Sequence, residues 1–264
     1  MTTTAPPAPV LVHPITRTLR MMRFELTMIV RQRVTLLTMV FAPAFVMIFP
    51  ILAQPETSEQ WAQIAAPMCI LALLFSVYVT SASVVTARRE TQLFKRLRTS
   101  ELAPAQMLSA IAGPLILIGT VQGLIVLGGC LALGAPFPQQ PGYVVLALLG
   151  TAVLAVAAGV ATGSVAPNIE RVQWTVMPLI ILGAVGANLV LQPLDEMQGR
   201  LVSAIPFASL TSLLARGMGA SEDVIAQGAL TALPPLVSAL LITALWTWIA
   251  VSVARKRWRW EPRS

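Results

Sequence analysis

The sequence predicts an all-α integral membrane protein with six transmembrane helices preceded by an amphipathic interfacial helix. Three observations carry that prediction. Of the 264 residues 56% are hydrophobic and only 11% charged, with a mean hydropathy of +0.77, well outside the range of a water-soluble domain. Six apolar runs are long enough to cross a hydrocarbon core of about 30 Å: 34–53, 64–87, 107–133, 144–166, 172–191 and 230–254. The positive charges gather at alternate ends of these runs, as they do in helical membrane proteins. The runs are continuously apolar and do not alternate at period two, which excludes a β-barrel.

Residues 1–12 form a Thr/Pro/Ala-rich tail that is expected to be disordered and cytoplasmic. It has no basic start, and the first apolar run comes too late and is too long for a secretory signal. His13, the only histidine, precedes Pro14 and reads as a solvated loop residue. Over 13–33, Ile15, Leu19, Met22, Leu26 and Ile29 recur at spacings of four and three, which places them on one face of a helix. Arg17, Arg20 and Arg31 project opposite. Such a helix would lie in the headgroup layer with its arginines near anionic lipid; alternatively the arginines only set topology.

Orientation follows from the remaining charges. Arg17, Arg20, Arg23, Arg31 and Arg33 precede the first span, and Arg88, Arg89, Lys95, Arg96 and Arg98 follow the second. Arg171 follows the fourth, and Arg255, Lys256, Arg257, Arg259 and Arg263 follow the sixth. Arg200 and Arg216 alone fall on the other side, with Glu56, Glu59, Asp195, Glu196, Glu222 and Asp223. Both termini are then expected in the cytoplasm of a bacterial cell, the chain crossing the plasma membrane as 34–254 and ending in a basic tail, 255–264. The net charge of +7 and pI near 10.7 need no nucleic-acid partner to explain them.

The spans contain no Asp, Glu, Lys, Arg or His. Proton-coupled carriers use ionisable groups within the bilayer, so the energy for any active transport has to come from elsewhere. Enzyme signatures are missing as well: there is no H-E-x-x-H, no Gly-x-Ser-x-Gly and no phosphate-binding loop. Lys95 and Lys256 are the only lysines, and neither follows a glycine. No catalytic residue, metal site or cofactor is expected in this chain. Cys69 and Cys130 lie inside spans without metal or redox spacing and read as small buried hydrophobes.

The charged segment 87–104 sits between the second and third spans. As a helix it gathers Leu93, Phe94 and Leu97 on one side, while Arg88, Lys95 and Arg98 face away. By pattern alone it is either a solvated basic loop or a helix that docks a partner. Between the fifth and sixth spans, 192–228 is too polar, and too broken by Pro193, Pro206 and its glycines, to cross. Leu201, Ile205, Phe207, Leu210, Leu213 and Leu214 make it apolar enough to dip into the outer leaflet.

The stretch Arg89-Glu-Thr-Gln-Leu-Phe-Lys-Arg-Leu-Arg-Thr-Ser-Glu-Leu-Ala-Pro104 resembles the cytoplasmic loop of type-2 ATP-binding-cassette exporter permeases, written E-x-G-T-L-K-R-L-R-x-T-P-L-x-P. The six-span order, the basic helix before the first span and the long outer segment before the last agree with it. The family glycine is absent, Thr91-Gln92 standing nearby, and Glu101 replaces the proline of T-P-L. The resemblance implies a coupling helix inserted into a separate nucleotide-binding subunit. Leu93, Phe94 and Leu97 would be its apolar face, with Glu90 and Arg98 making polar contacts. A shorter contact through Glu170 would come from 167–172. The resemblance further implies two permease subunits joined to two ATPase subunits that bind ATP and Mg²⁺, and outer helices that re-enter the membrane. In that comparison Pro206 and Arg216 match a usual proline and arginine, while Leu182-Gly183 stands where Ser-Gly is common.

Ser76, Thr80 and Ser83 share a face of the second span, and Asn188 and Gln192 sit late in the fifth. The resemblance puts these spans beside the dimer interface, so either set could line a substrate route; small polar residues also pack helices without lining anything. Gly119-x-x-x-Gly123 and Gly159-x-x-x-Gly163 favour close helix contact within the subunit. Trp61 and Tyr143 fit an outer aromatic belt, and Trp246, Trp248, Trp258 and Trp260 an inner one. The sequence reads as the permease of an exporter for an amphipathic drug, antibiotic or lipid-like cargo. A non-transporting membrane scaffold or sensor that holds a cytoplasmic signalling partner is the rival reading.

Overall fold

A computed structural model describes residues 16, 22–27, 31, 33–91 and 104–257. Among these every regular element is helical: α1 (Arg33–Val46), α2 (Ile48–Ala53), α3 (Ser58–Leu73), a π-helical turn (Leu74–Tyr78), α4 (Val79–Glu90), α5 (Pro104–Ala132), α6 (Pro141–Val165), α7 (Ile169–Leu189), α8 (Glu196–Ser203), α9 (Ala208–Met218) and α10 (Pro235–Arg257).

Five helices are long and apolar enough to cross a membrane, and they are the second to sixth predicted spans. The second is a single helix, Ser58–Glu90, opened by a capping box in which Thr57 and Gln60 satisfy each other's backbone N–H groups. The first predicted span is α1 and α2, parted at Met47. Pro50 has no N–H to return to the Val46 carbonyl, so the α-helical ladder cannot run through this point. The last span begins at Pro235 rather than near 230, because Pro234 and Pro235 suit a turn followed by the first helical position.

The second and fourth spans form the centre of the bundle. Gly159 lies so close to the second span that a Cβ there would stand 1.6 Å from Ser81 Oγ, and one on Gly163 would stand 2.7 Å from the Ala82 carbonyl oxygen. Gly119 faces Val77 and Ala152, and Gly123 faces Leu148. Both glycine pairs therefore seat helices within one subunit, as expected. The fifth span is largely exposed, with Ile181, Leu182, Val185 and Leu189 open. So is one face of α1 and α2, where Phe41, Phe45 and Phe49 form a ladder with centroids 6.0 and 5.9 Å apart.

The segment between the fifth and sixth spans folds as α8 and α9, bent by 105°. Residues 208–215 of α9 are all buried, and Gln140 N–H bonds the Gly217 carbonyl at 3.0 Å, so α9 ends level with the start of α6. Its length, at about 1.5 Å per residue, puts its other end about 16 Å down the bundle. Trp246 confirms that depth: it is midway along α10, and its Nε1–H donates to the Ala204 carbonyl in the bend at 2.8 Å. Trp246 is thus anchored at mid-bundle, not in the inner aromatic belt expected for it. Phe207 turns the corner at φ 72°, a conformation that costs a bulky residue about 1–2 kcal/mol. Burial holds it there: Phe207 is 1% exposed, and Gly183 leaves room for its ring.

Of the predicted interfacial helix, 22–27 is helical and rests on the bundle, Met22 filling the space beside Gly113 of α5. The remainder of its apolar face, Ile15, Leu19 and Ile29, lies outside the described residues, as do Trp258 and Trp260.

Candidate functional site

The last turn of α4 carries Arg88, Arg89 and Glu90, the root of the charged segment. Three consecutive charges on a helix point in three directions, and each is tied to a different part of the chain. Arg89, 4% exposed, donates from Nη1 to the carbonyls of Gly163 at 2.6 Å and Ala166 at 3.0 Å. These lie in the final turn of α6 and its C-cap, where carbonyls lack helical partners and favour a cation. Glu90 Oε1 accepts the backbone N–H of Ile169 at 2.8 Å. Ile169 opens α7, and Asn168 caps that helix by accepting the Arg171 N–H at 2.9 Å. Arg88 pairs with Glu25 of the N-terminal helical segment, and Glu25 is itself 4% exposed. The root therefore joins the second span to the N-terminal segment, the fourth span and the fifth.

Leu93, Phe94, Leu97 and Arg98 lie outside the described residues. Glu90 and Glu170 are described, and the fold brings them together: the Glu90 bond ends on Ile169, the neighbour of Glu170. Glu170 is exposed and lines an open depression with Pro167, Arg171, Trp174 and Thr175.

Deeper in the bundle, the predicted polar stripe is inside the subunit. Ser76 is fully buried and Thr80 7% exposed, while Ser83 is half-buried. The Ser76 hydroxyl sits 2.6 Å from both the Ala72 carbonyl and Gln122 Oε1, sharing its one proton between them. Gln122 Nε2 donates in turn to the Met39 carbonyl. That carbonyl is free because Pro43, four residues on, has no N–H to give it. A proline in the first span, an amide in the third and a π turn in the second thus make one polar bridge. Tyr78, in the same turn, meets Thr162 Oγ1 at 3.0 Å and the Val176 carbonyl at 3.4 Å, joining the second, fourth and fifth spans. By contrast Asn188 and Gln192 are exposed, and the Asn188 amide donates to Ala184 of its own helix at 2.8 Å. The two predicted polar sets therefore occupy different surroundings, one packed inside and one open on the fifth span.

Sequence reasoning missed Glu25, the burial of Arg89, and Gln122. Gln122 had a signal, as the only amide within 107–133; the others had none, because a run of charges reads as a solvated face.

The opposite end is built differently. Arg216 donates from Nε and Nη2 to both oxygens of Glu222 at 2.8 Å. These hydrogen bonds, with the guanidinium's charge, hold the Glu222 carboxyl below its ordinary value of 4.5. Arg200 pairs with Glu196 one turn away. Among the described residues no three His, Cys, Asp or Glu side chains gather in a way that could hold a metal ion.

A bundle of apolar helices with buried polar bridges and a charged, cross-linked end defines a multi-pass membrane protein. The chain belongs to the ABC-2 transporter family, whose model, described as ABC-2 family transporter protein, matches residues 37–252. No curated protein and no solved structure matches it.

Proposed function

We propose that this ABC-2 membrane subunit is the permease of an exporter driven by a separate ATPase subunit, which docks on 92–103 with Glu170 beside it. The basic end is then cytoplasmic, and the α8–α9 bend dips from the outside. The observation that carries the reading is the three-way tie at Arg88, Arg89 and Glu90. A push on the segment that follows Glu90 reaches the second span directly and the fifth through Ile169, while Arg89 makes the fourth move with them. The fifth span, exposed along Ile181, Leu182, Val185 and Asn188, supplies a face on which a second permease subunit packs and a path opens. Asn188 and Gln192 are polar groups available on that path; Ser76 and Thr80 serve the internal bridge. With no Asp, Glu, Lys, Arg or His in the apolar runs between the charged helix ends, the cargo is amphipathic, a drug, antibiotic or lipid-like molecule.

The test is Phe94→Ala combined with Leu97→Ala. Burial of each such side chain contributes about 1.5–3 kcal/mol, so the double variant should insert normally yet lose capture of the ATPase and its ATP-driven export from vesicles. Lys95→Arg should change little. A double variant that assembles and transports like wild type contradicts the docking role, and partner capture without any transport favours a scaffold.

A further inference from the structure

A cleft of about 280 Å³ opens sideways between the fifth and sixth spans. Thr175 and Leu179 of α7 form one wall; Trp246, Ile249 and Val253 of α10 form the other. The fourth span is its floor, and Pro206 and Phe207 at the α8–α9 bend close it at mid-bundle. The cleft therefore occupies only the half of the bilayer at the basic end. Its polar groups are already engaged. Thr162 meets Tyr78, Thr175 bonds the Arg171 carbonyl at 2.9 Å, and Trp246 bonds Ala204. The lining is mainly apolar, and the space suits a hydrocarbon chain.

The mouth has the opposite character. Arg171 precedes Thr175 by four residues and Arg257 follows Val253 by four, so each lies on its helix one turn beyond the wall residue and on the same face. Both arginines are exposed, and helical periodicity sets one beyond each wall of the cleft at the basic end. Trp174, 78% exposed, stands beside Arg171, as interfacial tryptophans do. Glu170 lines a neighbouring depression with Arg171 and Thr175, and the two arginines outnumber it by one positive charge.

We infer that this cleft holds an anionic phospholipid of the leaflet at the basic end, one acyl chain lying against Leu179, Ile249 and Phe207 and the phosphate between Arg171 and Arg257. Apolar walls alone would not select a lipid in a bilayer, where chains pack on every surface; the paired arginines supply the selectivity. The bound chain wedges between the α8–α9 bend and the two spans beside it. The inference uses the export reading only to call this leaflet the inner one.

The full-length protein would be extracted from vesicles of equal phosphatidylglycerol and phosphatidylcholine, and its retained lipids counted by native mass spectrometry. Wild type should retain phosphatidylglycerol with about a tenfold preference, from two arginines near an anionic headgroup. Arg171→Gln with Arg257→Gln should bring the ratio near unity. Arg255→Gln with Lys256→Gln, which removes the same charge at the same end, should keep it. Val253→Trp, filling the cleft, should lower retention of both lipids. No preference in wild type, equal loss in the two double variants, or unchanged retention in Val253→Trp would each overturn the inference. Retention needs neither ATP nor an ATPase, so it is read independently of whether the protein exports.

Discussion

The two ends of the bundle use similar charges to opposite effect. At the basic end Arg88, Arg89 and Glu90 bond partners 63, 74 to 77, and 79 residues away. At the other end Arg200 and Arg216 bond carboxylates four and six residues away. Arg89 and Glu25 are buried, whereas Glu196 and Glu222 are exposed. Long-range ties to buried groups make separate spans move together; short-range ties at a wet surface only shape the segment that carries them. On the export reading proposed above, the first end would transmit a displacement and the second would hold a turn in place.

That contrast predicts a descending series of effects. Arg89→Ala should be the most damaging, since it leaves the Ala166 carbonyl without its guanidinium donor and the Gly163 carbonyl with only the Thr86 hydroxyl at 3.4 Å, each lost bond costing about 1–3 kcal/mol. A marked fall in the thermal midpoint of the detergent-solubilised protein checks it, and a near-wild-type midpoint would break the comparison. Glu25→Ala should cost less, about 1–3 kcal/mol, because Arg88 keeps some access to water, at 16% side-chain exposure. Protease cleavage within 22–27 should accelerate in that variant while the spans stay protected.

The smallest effect belongs to Arg216 and Glu222. Surface pairs contribute up to about 1 kcal/mol. The Glu222 carboxyl is depressed in the folded protein, so its contribution is full above the ordinary glutamate value and is lost as pH falls through the depressed one. Wild type should therefore exceed Glu222→Gln in thermal midpoint at neutral pH and converge with it in acid. A difference that grows toward acid would reverse the assignment.

The same contrast explains what the sequence makes legible. The second to sixth spans and the inward glycine pairs rest on hydrophobicity and side-chain size within a few turns, and they read directly. The break at Met47 is local too, once Pro50's missing N–H is set against the Val46 carbonyl. The partners of Arg88, Arg89 and Glu90 are not local. Nothing near Arg89 distinguishes it from a solvated arginine, because the carbonyls that hold it end a helix more than 70 residues on. Gln122 was visible as an amide in an apolar span, but its acceptor exists only because Pro43 frees Met39 on another helix. The π turn at Leu74–Tyr78 carries no sequence mark at all; its evidence is the set of bonds that Ser76 and Tyr78 make.

The tie between Glu90 and the fifth span tests the account most directly. Ile169 is the first residue of its helix, where proline is well tolerated, and Asn168 before it is extended at φ −150° and ψ 172°, as a residue preceding proline should be. Ile169→Pro therefore removes the N–H that Glu90 accepts while leaving α7 intact, and Glu90→Ala removes the acceptor. ATP hydrolysis by the membrane complex with its ATPase would be measured for the two variants and their combination, alongside a check that the complex still assembles. Each single variant should lower hydrolysis several-fold, and the combination should be no worse than either. Full activity in both singles, or losses that multiply in the combination, would show that the root of the charged segment does not drive the fifth span.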